Sequence, residues 1–190
     1  IFIAGAVMQW LRDKVNFFKD AAQSEKIALK EKRAEGLFLI PAFVGLGAPY
    51  WDMYARGSIM GLTRDTGISQ IVRAALESIA FQTRDLVDIM ESDGRIKIKK
   101  LRVDGGATAN NYLMQFQADI LNCIIEKPKI LESTALGAAI LAGLKTGYWK
   151  KIEDALKVNT IVRSFKPAMK PKERNELYSG WKKAVRRILT

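Results

Sequence analysis

The sequence contains no histidine and a single cysteine, Cys123, in 190 residues. The first absence removes imidazole from within this chain, both as a general base and as a metal ligand. The second removes any internal disulfide, so cysteine usage gives no argument for secretion. Cys123 lies between Asn122 and Ile124 in an apolar stretch, where a buried structural thiol is expected. No apolar run approaches the roughly 20 residues that span a bilayer, and the mean hydropathy is -0.04. A P-loop is also missing, since G-x-x-x-x-G-K-[ST] does not occur. There is no repeat period and no low-complexity linker. The opening IFIAGAVMQWLRD has no basic n-region and runs straight into an amphipathic pattern, so it is not a signal peptide. The expectation is a piece of something longer.

What is present is the composition of one globular domain with its own core: 48% hydrophobic and 27% charged residues. The formal net charge is +11. Much of the excess lies in Lys97, Lys99, Lys100 and Arg102, and in the tail from Lys166 to Arg187. Nucleic acid, an acidic membrane surface or anionic small molecules could all answer to such a balance. Aromatic residues are not interleaved with the basic ones, so a nucleic-acid partner is not expected; the charge reads as solvated faces.

Periodicity predicts a first helix over 6–22 (Val7, Leu11, Val15, Phe18) and a buried strand over 37–43 ended by Pro41. A loop follows over 44–54, then a short strand over 57–62. A long helix is expected over 69–90, with Val72, Leu76, Ile79, Thr83, Leu86 and Met90 on one face and Asp93-Gly94 at its end. A strand over 98–103, a Gly105-Gly106 turn, a helix over 109–121 and a strand at Ile124 closed by Pro128 come next. Helices over 134–146 and from Pro171 onward complete the series. Alternation of this kind predicts an α/β fold with helices on a mixed sheet.

Three segments carry chemistry. In 101–110 a strand ends in Gly105-Gly106 and a helix begins within a few residues. Glycines admit a flat ligand to the backbone, and the unpaired amides of a helix start favour phosphate or a polarised oxygen. Asn110 adds an amide able to donate and accept; a plain strand-to-helix turn is the competing reading. Gly137 and Gly143, inside a predicted helix, are expected to admit a closely packed backbone, with direct ligand contact the competing reading. In Pro41 to Gly57, glycine, proline and aromatic residues predict an ordered loop, braced by an Asp52–Arg56 ion pair.

The stretch Gly57-Ser-Ile-Met-Gly-Leu62, seven residues, then Gln70-Ile-Val-Arg-Ala-Ala-Leu-Glu77 resembles a signature of the FGGY family of carbohydrate kinases, with fixed spacing over 21 positions. Gly61-Leu-Thr-Arg64, Glu77 to Arg84, Asp104-Gly-Gly-Ala107 and Gly180-Trp-Lys-Lys-Ala184 are similar as well. The loop from Pro41 to Asp52 is similar to that of the branch acting on glycerol. The resemblance weakens at 14–35 and 159–172.

It implies a ribonuclease-H-like domain of the actin and hexokinase type, the second of two, with ATP in the cleft between them. Gly5 and Gln9 would lie beside the nucleotide, and Gly106, Ala107 and Asn110 would hold the adenosine. Gly5 and Gln9 rest wholly on the resemblance. The implied reaction passes the γ-phosphoryl of Mg-ATP to glycerol, with ATP/ADP and Mg2+ as cofactors and no catalytic or metal-binding residue in this chain. Carboxylate base, phosphate loop and glycerol pocket belong to the preceding N-terminal domain. Asp104 is expected to brace the turn and Asp52 the loop. The fragment alone would bind ADP weakly and catalyse nothing; the whole would be a cytoplasmic homodimer or homotetramer. The alternatives are a relative acting on xylulose or gluconate, and a non-catalytic basic module.

Overall fold

The computed structural model describes residues 1–31 and 36–190. At its centre runs α3 (Ile68–Gly94). Small and apolar residues on all its sides let other elements cover it. Val72, Ala74, Ala75, Leu76, Ile79, Ala80, Phe81 and Val87 are all buried, and α1 (Gly5–Asp13), α2 (Gln23–Ala28), β1 (Phe38–Ile40) and α4 (Asn111–Leu121) contact it. β1 pairs antiparallel with β2 (Ser58–Met60). Just after β2 the chain needs glycine at position 61: φ is +87°, and a Cβ there would stand 2.0 Å from the carbonyl oxygen of Gly36, which precedes β1.

A second, mixed sheet has the order β3 (Lys100–Arg102), β4 (Ile124–Pro128), β5 (Ile161–Phe165). β3 and β4 are parallel, joined through α4, and β5 returns antiparallel. α5 (Ser133–Lys145) and α6 (Ile152–Leu156) link β4 to β5. The chain ends in α7 (Pro171–Arg186), with Pro171 in its first turn as expected. α7 closes the core by stacking Trp181 on Phe81, ring centroids 5.3 Å apart. Below this pair, the buried Asp85 carboxylate accepts from Tyr178 Oη at 2.6 Å and Trp181 Nε1 at 2.8 Å. Burial pushes the Asp85 pKa up, and these two donors oppose it. No helix among the described residues is long and apolar enough to cross a membrane.

Several expectations need correction. The first helix stops at Asp13 rather than residue 22, because the chain turns through Asn16 at φ 60° and the Phe17 amide bonds back to the Leu11 carbonyl. Phe18 still reaches the core, from irregular chain. α3 runs past residue 90 but ends at Gly94, the expected stop, and is closed by Arg95 in the left-handed region. Met90, expected on the apolar face, is 58% exposed, since α3 leaves the core beyond Val87. Among the described residues no backbone packs against Gly137 or Gly143. Gly143 backs onto the Trp149 ring, 2.4 Å from where a Cβ would be, and Gly137 faces open space. Finally, Asp52 does not pair with Arg56. It accepts from the amides of Tyr54 and Ala55, both at 2.9 Å, and from Thr190 at the C-terminus. Those bonds, the Thr190 amide first, hold its carboxyl below the usual range. Arg56 instead donates to the Met53 and Ala55 carbonyls. The loop is braced as expected, but by backbone.

Candidate functional site

Where β3 ends, the chain makes a turn that only its particular residues permit. Gly105 adopts φ +83°, which aims its N–H at the Leu131 carbonyl, 2.9 Å away. Its own carbonyl takes the Thr108 amide at 3.1 Å and the Thr108 hydroxyl at 2.7 Å. The result is a 3-10 turn over Gly106–Ala109, so α4 begins at Asn111, two residues later than expected. Asn110 is the N-cap, its Oδ1 accepting from the Leu113 amide at 2.9 Å.

This turn forms one side of a cleft of about 560 Å3, a size common for small-molecule sites. The first turns of α1 face it, segment 21–25 forms a further wall, and Met8, Leu76, Ile79 and Leu113 supply an apolar floor. All five residues expected to hold a ligand, Gly5, Gln9, Gly106, Ala107 and Asn110, line this one cleft. Gly5 and Gly106 come from elements a hundred residues apart, and a Cβ on either would meet nothing within 4 Å. The missing side chains therefore leave cleft volume, not packing space. An apolar floor, two bare backbone approaches and a few polar groups at the rim suit a flat, partly polar ligand.

Two details differ from expectation. Asn110 is not free to donate and accept at will, because its oxygen is occupied by the cap and its Nδ2 donates to Ser24 Oγ at 3.2 Å. Asp104 does not brace the turn, since Gly105 and Thr108 do that with backbone and hydroxyl bonds. It lies exposed at the rim of the cleft. Ser24 and Glu25 were not anticipated. They stand 86 positions from the residues they bond, within a stretch lacking a clear apolar period, and no local pattern announces such a pairing.

Behind the floor, a buried network ties three of the walls together. Arg73 Nε donates to Glu77 at 2.8 Å, Tyr112 Oη donates to the same carboxylate oxygen, and the Arg73 guanidinium covers the Tyr112 ring at 4.7 Å. Arg73 also donates to the carbonyls of Ala28, the last residue of α2, and of Glu31 just beyond it. Among the described residues no three His, Cys, Asp or Glu side chains converge as a metal ion would require.

The chain belongs to the FGGY family of carbohydrate kinases, whose C-terminal domain model matches residues 1–146. Its fold is accordingly the actin and hexokinase type of α/β ATPase domain expected from the sequence. Within that family the similar proteins include glycerol kinases. The chain is 56% identical over 187 residues to glycerol kinase of Photorhabdus laumondii, covering 98% of this chain and 37% of the relative. It is 58% identical over 189 residues to glycerol kinase 2 of Thermotoga maritima, covering 100% and 38%. Among solved structures, Plasmodium falciparum glycerol kinase with ADP superposes with a TM-score of 0.87 at 41% identity, covering 98% of this chain and 37% of that one. Gluconate kinase of Lactobacillus acidophilus is also similar, with a TM-score of 0.76 at 25% identity, covering 96% and 38%. The chain thus spans a little over a third of the length of the relatives it matches.

Proposed function

We propose that this chain is the nucleotide-binding half of a kinase that passes the γ-phosphoryl of ATP to glycerol, giving glycerol 3-phosphate. The observation that carries the reading is the convergence of Gly5, Gln9, Gly106, Ala107 and Asn110 on one cleft. Gly5 and Gly106 make the backbone approachable, and the apolar floor of Met8, Leu76, Ile79 and Leu113 takes a purine face. The ADP in the similar Plasmodium enzyme supports the ligand class, and identities above 50% to glycerol kinases support glycerol over other acceptors.

Phosphoryl transfer needs positioning, neutralisation of phosphate charge and a carboxylate near the attacking hydroxyl. On this reading the chain supplies the first of these. Carboxylate, phosphate loop and glycerol pocket lie in an N-terminal domain that precedes it, and closure of the two domains excludes water. Magnesium would enter bound to the nucleotide phosphates and polarise them; the described residues here form no cluster that would hold it. The whole protein, on the same reading, works in the cytoplasm as a homodimer or homotetramer.

The test is ADP release by the longer protein containing this chain, with Mg-ATP and glycerol, xylulose, gluconate or no acceptor. Turnover with glycerol alone is expected. Turnover with xylulose or gluconate instead would overturn the choice of substrate, and silence with every acceptor would overturn the kinase reading.

A further inference from the structure

The polar residues of segment 21–25 are arranged around Asn110 rather than scattered along the cleft wall. Ser24 is 3% exposed and donates its hydroxyl hydrogen to the Ala21 carbonyl at 2.6 Å. Its oxygen is therefore an acceptor toward Asn110, and it meets Nδ2 at 3.2 Å. On the other side Asn110 Oδ1 faces the Leu113 amide, a donor. A flipped amide would set its NH2 against that N–H and leave the Ser24 oxygen facing an acceptor. The orientation of Asn110 is thus fixed by its two neighbours. One hydrogen of Nδ2 is used by Ser24, and the second has no partner among the described residues, on a side chain that lines the cleft. Glu25 secures this arrangement. Its carboxylate accepts from the Asn111 amide at 3.0 Å and from Asn111 Nδ2 at 3.4 Å, bonding α2 to the first residue of α4. The far end of α2 is held independently by Arg73.

We propose that Ser24 and Glu25 are positioning residues for the nucleotide, holding Asn110 so that it offers the cleft an N–H donor and not its oxygen. This rests on the nucleotide reading above. The group that meets Asn110 is then an acceptor, a ring nitrogen or an oxygen of the nucleoside. Without Glu25 the start of α4 loses its tether to α2; without the Ser24 hydroxyl the amide loses the partner that fixes it. Binding weakens, whereas the reacting phosphate, positioned elsewhere, is unaffected once nucleotide is saturating.

The test uses the longer protein and follows ADP affinity by calorimetry together with steady-state kinetics. Glu25→Ala is expected to raise the ADP Kd and the KM for ATP by about tenfold, with kcat at saturating ATP and the KM for glycerol held within about twofold. Glu25→Gln retains an acceptor for the Asn111 amide and is expected to recover most of the loss. If Glu25→Ala fails to fold, Ser24→Ala carries the same expectation in KM and Kd. Unchanged nucleotide affinity in the folded variants, a fall in kcat without a change in KM, or a Gln variant as poor as the Ala variant would each overturn the proposal. Wild-type protein that binds no ADP would overturn the nucleotide reading along with it; wild-type binding with indifferent variants would overturn this proposal alone.

Discussion

Gly106→Val is expected to raise the KM for ATP in the intact enzyme by roughly tenfold or more, about 1.4 kcal/mol of binding per decade, while leaving the melting temperature unchanged. A Cβ at this position meets nothing within 4 Å, so a side chain here starts into open cleft and not into packed protein. The valine methyl groups would occupy the space that a nucleoside approaching the bare backbone needs. The neighbouring glycine provides the control. Gly105 also has room for a Cβ, but its φ of +83° is one that L side chains rarely adopt, and the turn bonds to Leu131 and Thr108 depend on it. Gly105→Val should therefore lower the melting temperature first, with any loss of affinity following from the damaged turn. Nucleotide titration and thermal melting of both variants separate the two roles. An unchanged KM for Gly106→Val would remove that residue from the site.

Glu77→Ala is expected to cost about 3–5 kcal/mol of folding stability, the range for breaking a buried ion pair from one side. The side chains of Arg73 and Glu77 are 12% and 7% exposed, so the guanidinium left behind could not simply turn to water. Burial pushes the Glu77 carboxyl up, and the Tyr112 hydroxyl and Arg73 oppose that push. Removing the carboxylate strands the Tyr112 hydroxyl and Arg73 Nε at once and leaves the guanidinium charge unpaired among the described residues. Because Arg73 also holds the end of α2, and Tyr112 sits in the first turn of α4, loosening of the cleft walls should accompany the loss. Glu77→Gln keeps an acceptor for Tyr112 and should cost less. Urea unfolding measures both; a loss below about 1 kcal/mol for Glu77→Ala would mean that the pair contributes no more than a surface salt bridge does.

The contrast between these two positions shows what was legible in the sequence. The Gly105-Gly106 turn is legible because a strand, two glycines and the start of a helix are neighbours along the chain, and its bonds from Thr108 to Gly105 and from Leu113 to Asn110 are local. α3 was legible for the same reason, its apolar period extending over many turns. Gly5 and Gln9 look like nothing more than a helix start; their place in the cleft follows from tertiary packing and was reached through resemblance alone. Ser24 and Glu25 lie beyond reach, since the hydrogen bonds that bring them to the cleft run to residues 86 positions away. The end of α1 was misjudged because apolar spacing continued past Asn16, where the backbone turns, and Phe18 reached the core without a helix to carry it. Spacing reports which residues are buried, and it does not say which backbone brings them there.

The nucleotide-binding role proposed for this chain requires that the cleft between the start of α1 and the Gly105–Asn110 turn hold the nucleoside. Photolabelling the protein with 8-azido-ADP and mapping the modified peptides tests it directly. Label on peptides spanning residues 5–25 or 104–113, suppressed by excess ATP, is the result expected. Label confined to other segments, such as the exposed loop at 44–54, or incorporation that excess ATP does not reduce, would contradict it.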